Sequence, residues 1–263
     1  MSIKHSIKHS AIAIAAGAIG LIGLSSIGGA ANAATIVNGG FEEGFRGWKS
    51  VDQTGSRGSW AITNGANTPF SGPIPGSSQG SFYNVTHHFG PGSHVLFQDI
   101  VLEAGFTHEL SFDWFAQDFD WSAQDTLGVG LMDAGTMDFN VGANQHFRVD
   151  LVSADFDDWF GQSSDAGVLA NILSPVADPS PVNGFNTTTF DLTPWAGSTV
   201  RLAFRQVQTQ LFLNSGVDAV SIKSEATSES TSVPEPASVL GLLAVGVGCV
   251  SLKKSKIKSQ KLK

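Results

Sequence analysis

The chain has 263 residues, with 15 basic groups, 23 acidic groups and one cysteine. Outside the two ends, residues 34–236 hold seven basic groups against all 23 acids, a formal charge of −16. That balance argues against nucleic-acid binding through phosphates, which needs clustered Lys and Arg, and against a core lying on an anionic membrane. The cysteine, Cys249, falls in an apolar run near the C-terminus, so 34–236 has no disulfide, Cys-ligated zinc or thiol nucleophile.

The N-terminus carries Lys4 and Lys8, then an Ala/Ile/Gly/Leu stretch from Ala11, then Ala31-Asn32-Ala33. A basic start, an apolar middle and an Ala-x-Ala site predict a secretory signal peptide over 1–33, cleaved before Ala34. An uncleaved membrane anchor is the alternative. Both readings send the following domain out of the cytoplasm.

Residues 34–224 read as one all-β domain. Short runs rich in Val, Ile, Phe and Thr alternate with Gly, Asn, Pro and Ser clusters. The runs are 60–62, 81–85, 95–101, 109–115, 127–131, 147–151, 200–205 and 217–222. Two alternate strictly: Leu110/Phe112/Trp114 against Ser111/Asp113, and Phe147/Val149/Leu151 against Arg148/Asp150. Period-two patterning with regular turn signals predicts a two-sheet antiparallel β-sandwich. Trp48, Tyr83 and Trp114 are expected in its core. One short helix is predicted over 165–173, ended by Ser174-Pro175. A single turn is predicted over 193–196, where Pro194 sits at a helix start. Residues 68–78 are a predicted loop.

Residues 225–232 form a Ser/Thr-rich spacer. Val233-Pro234-Glu235-Pro236 follows, then an apolar run over 237–252, then six lysines. At 1.5 Å per residue the run spans about 24 Å as a helix, short for a hydrocarbon core. Lysines at its end would hold that end inside. The arrangement over 233–263 resembles the PEP-CTERM sorting signal of bacterial exported proteins: motif, short transmembrane helix, basic tail. The resemblance implies recognition of Pro234, Glu235 and Pro236 by an exosortase-type membrane transpeptidase. It implies transient inner-membrane anchoring through 237–252, then release to the envelope surface or the exterior. A plain C-terminal anchor is the alternative.

The opening Val37-Asn38-Gly39-Gly40-Phe41-Glu42-Glu43-Gly44, followed by Gly47-Trp48, resembles that of galactose-binding-like jelly-roll modules, a group holding several carbohydrate-binding families. The segments 190–197, 199–204 and 216–222 resemble their closing strands, and the whole is similar to exported PEP-CTERM proteins. The resemblance implies a jelly roll whose first and last strands are neighbours. It also implies one structural Ca²⁺, held by Glu42, Asp218 and backbone carbonyls near Asn38 and Gly40; hard oxygen donors suit that ion. Alternatively, Glu42 and Asp218 are turn and edge carboxylates.

Other candidates come from the residues alone. Asp118-Phe119-Asp120-Trp121 is echoed by Asp155-Phe156-Asp157-Asp158-Trp159. A Trp face stacks on a sugar ring while carboxylates accept hydroxyl protons, which nominates Trp121, Trp159, Asp120 and Asp157 as ligand-binding. The opposing reading is a pair of solvated loops whose aromatics tuck into the sandwich end. His87, His88 and His94 cluster as a loop feature or a zinc site. Gly76-Ser77-Ser78-Gln79-Gly80 formally matches a nucleophile elbow, but a Pro-rich loop precedes it where a strand is needed. The expected function is a non-catalytic exported surface or matrix protein that binds polysaccharide or another envelope component. The alternative is an extracellular hydrolase with two carboxylates roughly 5–10 Å apart in a cleft, one raised in pKa.

Overall fold

A computed structural model describes residues 33–65, 74–88, 90–119, 135–141, 144–161, 163, 165–176, 184–209 and 212–227. Pro234, Glu235, Pro236, the apolar run 237–252, Asp120, Trp121, the predicted strand 127–131 and nearly all of the predicted signal peptide lie outside these residues. Among the described residues no helix is long and apolar enough to cross a membrane.

Among the described residues, ten strands form two sheets. They are β1 (Lys49–Asp52), β2 (Gly58–Thr63), β3 (Tyr83–His88), β4 (Gly92–Val101), β5 (Phe106–Phe119), β6 (Gln145–Ser153), β7 (Val168–Val176), β8 (Asn186–Asp191), β9 (Thr199–Gln208) and β10 (Phe212–Ala226). One sheet has the order β1-β4-β9-β6-β7 and the other β2-β3-β10-β5-β8. Every described pairing is antiparallel. Along the chain β3, β4, β5 and β6 alternate between the sheets, β7 stays beside β6, β8 returns to the other sheet, and β9 and β10 each insert centrally, giving a two-sheet antiparallel β-sandwich.

The core follows from the period of two. Leu96 and Ile100 of β4, Leu202 and Phe204 of β9, and Phe147, Val149 and Leu151 of β6 point inward from one sheet. Leu110 and Phe112 of β5, Val217 of β10 and Trp60 of β2 meet them from the other. Trp48 and Tyr83 are buried, and Trp114 packs against the core while its indole N–H donates to Thr188 Oγ1 at 2.8 Å.

The predicted helix over 165–173 is instead a turn followed by edge strand β7. The sequence Val168-Leu169-Ala170-Asn171-Ile172 fits either period, and pairing with β6 decides it, with Asn171 opposite Asp150. The predicted turn at 193–196 is present as a 3-10 turn, Thr193–Trp195, with Pro194 in its first positions. The opening 37–47 is a series of turns rather than a first strand. Asn38 and Phe41 sit at φ 54° and 55°, a region an extended chain never visits. This segment still runs beside the last strand: Val220 N–H donates to Gly39 O at 3.0 Å. A Cβ on Gly39 would lie 1.8 Å from Val220 O, so only glycine fits there.

Each sheet also carries a small core on its outer face. On the β4–β9–β6 sheet, Val95, Phe97, Val152 and Ala203 are covered by the segment 154–161, which contributes Phe156 and Trp159. On the other sheet, Tyr83, Val85 and Phe115 are covered by Ile74 and Phe185.

Candidate functional site

Three regions bear on function, and the predicted site residues divide among them.

The first is the junction of the opening turns with β10. Asp218 is fully buried. Its Oδ2 accepts from Ser78 N at 2.9 Å, Ser78 Oγ at 3.1 Å and Gln79 N at 2.9 Å, and its Oδ1 accepts from Ala219 N at 2.7 Å. Ala219 has φ 51° at the β-bulge that interrupts β10, and the bulge re-aims the strand here. Burial holds the Asp218 carboxyl above its ordinary range, although the four donors favour its charged form. Burial, with Asp218 adding, also raises the Tyr83 phenol. Glu42 Oε1 accepts from Ser81 N at 2.7 Å and Phe82 N at 2.9 Å. Glu42 and Asp218 therefore grip opposite ends of one short segment, 78–82. Gly40 lies between them: the position its Cβ would take is 3.5 Å from Gln79 Oε1 and 3.9 Å from Asp218 Oδ1. These hard oxygens suit Ca²⁺ in kind. Asn38 does not fit the expected set, because its carbonyl already accepts from Phe41 N and Trp48 Nε1, both at 3.1 Å. The Ser78 hydroxyl is tied to Asp218 in this turn.

The second region is the covered outer face of the β4–β9–β6 sheet. In β6 the alternation reads Arg148 and Asp150 as the polar side, and both are buried. Trp159 is 5 % exposed. It packs on Phe97 with centroids 5.1 Å apart and edge-on against Phe156 at 4.9 Å. As a sugar-stacking platform Trp159 is thereby corrected: both sides of its ring face protein. Asp157 is exposed on the same segment. Beneath Trp159 lies a charge network. Asp150 and Arg205 are fully buried, and Arg205 Nη1 donates to Asp150 Oδ2 at 2.8 Å and Nη2 to Trp159 O at 3.1 Å. Arg148, 3 % exposed, pairs with Asp150 at 2.7 Å and with Asp165 Oδ1 at 2.9 Å. Asn171 Nδ2 donates to Asp150 Oδ1 at 2.8 Å. Burial, with Arg148 adding to it, pushes the Arg205 guanidinium below its ordinary value. Arg201 stacks on Phe97 at 4.4 Å, donates to Asp99 Oδ1 at 2.6 Å and donates to Phe156 O at 2.6 Å. The arginines hold the covering segment down through its carbonyls.

The third region was not singled out by any motif. A groove of about 480 Å³ runs between the segment 33–37, the start of β1 and the end of β4. Lys49, Gln98, Asp99 and Glu103 supply polar groups, and Val37, Phe97 and Val101 supply apolar wall. Gln98 fixes one side: its Oε1 accepts from Val37 N at 2.7 Å and its Nε2 donates to Val37 O at 3.0 Å. The side-chain amide thus pairs with the chain as a neighbouring strand would. Arg201 fixes Asp99 on the other side.

Asp113 and Asp218 are register partners on β5 and β10, as are Glu109 and Asp191 on β5 and β8. Asp113 is turned to Thr187, whose hydroxyl donates at 2.6 Å, and Asp218 to 78–79. Of the three histidines, buried His94 places Nδ1 2.8 Å from Asp52 Oδ1. Among the described residues no group of three His, Cys, Asp or Glu side chains could hold a metal ion.

No family model matches the chain, and no curated protein matches it. Several solved structures are similar in shape. A Stig cyclase from Fischerella sp. TAU is 16 % identical over 74 % of this chain and 98 % of its own, with a TM-score of 0.44. A carbohydrate-binding module, TmCBM61, solved with β-1,4-galactotriose, is 12 % identical over 72 % of this chain and 96 % of its own, with a TM-score of 0.42. The K3 adhesin domain of Lys-gingipain from Porphyromonas gingivalis W83 is 18 % identical over 73 % of this chain and 98 % of its own, with a TM-score of 0.44.

Proposed function

We propose that the chain is an exported, non-catalytic surface or matrix protein whose β-sandwich binds polysaccharide along the β1–β4 groove. The groove carries this reading. Sugars present hydroxyls and apolar C–H faces together, and the groove offers charged and amide groups beside Val37, Phe97 and Val101. Gln98 and Asp99 are held by partners of their own, so little ordering remains to oppose binding.

A binding role without catalysis is supported by what the acids do. Asp218 and Glu42 hold backbone amides, Asp150 lies between arginines, and Asp99 is clamped by Arg201. A calcium ion held by Glu42 and Asp218 would add a cross-link between the opening turns and the last strand.

Export rests on the two ends of the sequence. The predicted cleavage before Ala34 would leave Thr35 and Val37 in place as a wall of the groove. The Pro234-Glu235-Pro236 motif would hand the domain to an exosortase-type enzyme, which removes 237–252 and the lysines.

The test is made on cultures of the producing cell. The protein is expected in the medium or envelope fraction, starting at Ala34, lacking the lysine tail and co-sedimenting with exopolysaccharide. Replacing Pro234 and Glu235 is expected to leave it membrane-bound and uncut. Full-length protein in the cytosol would overturn export. Processed protein that never sediments with polysaccharide would overturn the binding role.

A further inference from the structure

Strand β1 covers the edge of β4 only as far as Phe97, the partner of Lys49, while β4 runs on to Val101. The segment 33–37 lies beside that uncovered stretch, and the β1–β4 groove is the space between them. We propose that the α-ammonium group of Ala34, created when the chain is cut before that residue, is a ligand-binding group of this groove. The inference rests on the polysaccharide reading and on the predicted cleavage, and adds a group that the uncut chain does not have.

The argument begins with the period of the segment. Ala34 is 4 % exposed and belongs to the main core, and Ile36 packs against the same core. Ala33, Thr35 and Val37 line the groove. Alternate residues therefore face opposite ways, as in a strand. In the uncut chain the Ala34 nitrogen is bonded to the Ala33 carbonyl carbon, about 1.33 Å away. It is thus part of the wall that Ala33 and Thr35 form.

The cut is a hydrolysis. One water adds across the Ala33–Ala34 amide, Ala33 leaves as a carboxylate, and Ala34 keeps the nitrogen as an ammonium. Loss of Ala33 opens that end of the groove. The new terminus stays where the amide was, because Ala34 is anchored in the core and Gln98 holds Val37 through two hydrogen bonds.

The exchange changes the chemistry of the wall. A backbone amide has one donor, whereas an ammonium has three and a full charge. An α-amine ordinarily titrates at about 7.7–8.0, so at neutral pH most of it is charged. Of the two carboxylates in the groove, Asp99 is matched by Arg201 at 2.6 Å. The Glu103 carbonyl accepts from His108 Nε2 at 2.9 Å, and its carboxylate has no hydrogen-bond or ion-pair partner among the described residues. The ammonium answers this carboxylate with one proton and keeps two for ligand oxygens. Lys49 brings a second cation to the same groove. Hydroxyl and ring oxygens of a polysaccharide accept from both, while its C–H faces lie on Val37 and Val101.

The experiment uses the processed protein secreted by the producing cell, its N-terminus read by sequencing. A portion is acetylated at the α-amine under mildly acidic conditions, where lysines react far more slowly. Both forms are run by affinity electrophoresis through exopolysaccharide from the same cell, and the α-amine is titrated by NMR. Acetylation is expected to weaken binding about tenfold, the size of one hydrogen bond from a charged donor, with the Tm and the amide exchange of Val37 unchanged. The α-amine is expected to titrate above its ordinary range, and Glu103→Gln to bring it back. Equal binding by the two forms would overturn the proposal and leave the groove reading standing. An α-amine that titrates at its ordinary value with or without Glu103 would contradict its placement. A lower Tm or faster Val37 exchange on acetylation would make the terminus a structural tie instead. Failure of the unmodified processed protein to bind would sink the groove reading and this inference together, and an N-terminus other than Ala34 would sink it through the cleavage.

Discussion

Arg205 and Asp150 meet at 2.8 Å, both fully buried, on the face of a sheet that points away from the sandwich core. The pair sits under Trp159, whose carbonyl accepts a second Arg205 donor. Removing one member of a buried pair leaves the other charge unmatched.

Asp150→Ala is therefore expected to destabilise the domain by about 3–5 kcal/mol in urea unfolding. Arg205→Met in the same background should recover part of that loss, because it removes the orphaned charge and keeps the volume. A loss below about 1 kcal/mol for Asp150→Ala, the range of exposed ion pairs, would contradict the burial described here.

Gln98 ties the opening segment to β4 through two hydrogen bonds with residue 37. Gln98→Leu keeps the size of the side chain and removes both bonds. The expected loss is about 1–3 kcal/mol, with faster amide exchange at Val37 than at the centre of β4. Unchanged exchange at Val37 would show that the segment is held by other contacts.

Much of this fold is legible in the sequence, and the reason is local. Leu110, Phe112 and Trp114, or Phe147, Val149 and Leu151, announce their inward face by alternation alone. The outer faces are different. Arg148 and Asp150 occupy polar positions in a strict alternation, which reads as solvent. They are buried because 154–161, distant along the chain from β9, folds across them. No periodicity within β6 reports that event. The misreading of 165–173 as a helix has the same origin: pairing of Asn171 with Asp150 is a tertiary contact. The candidate site was partly legible. The opening and closing motifs point to Glu42 and Asp218 together, and both carboxylates hold the segment 78–82. In the echo Asp155–Trp159 the sequence cannot separate the two roles of Trp159, because an aromatic in an acidic loop reads the same packed inward or facing a ligand. The groove left no mark in the sequence, since its lining joins residues 33–49 to residues 97–103.

Asp191 lies opposite Glu109, and its Oδ1 accepts from Thr193 N–H, the first residue of the 3-10 turn, at 2.9 Å. The Thr193 hydroxyl and amide hold its carboxyl below the usual range. A carboxyl with a lowered folded-state pKa adds stability above its unfolded value, and that stability is lost as pH falls through the folded value. Asp191→Asn is expected to lower the Tm slightly at neutral pH and to leave a shallower loss on acidification. The side chain is exposed, so the effect is small. An acid limb identical to that of the unaltered protein would contradict the assignment.

Chelation tests the junction of Glu42 and Asp218. If calcium is bound there, a chelator lowers the Tm of the domain and added Ca²⁺ restores it. Asp218→Asn should abolish that dependence. An unchanged melting curve in chelator would mean that the amides of 78–82 satisfy both carboxylates without a metal.

The most direct test of the central claim is affinity electrophoresis of the full chain through gels containing exopolysaccharide from the producing cell. The unaltered protein is expected to be retarded. Lys49→Ala with Glu103→Ala, two exposed or half-exposed groove residues whose loss leaves the core intact, should restore free mobility without changing the Tm. Equal mobility of the unaltered protein in gels with and without polysaccharide would contradict the account.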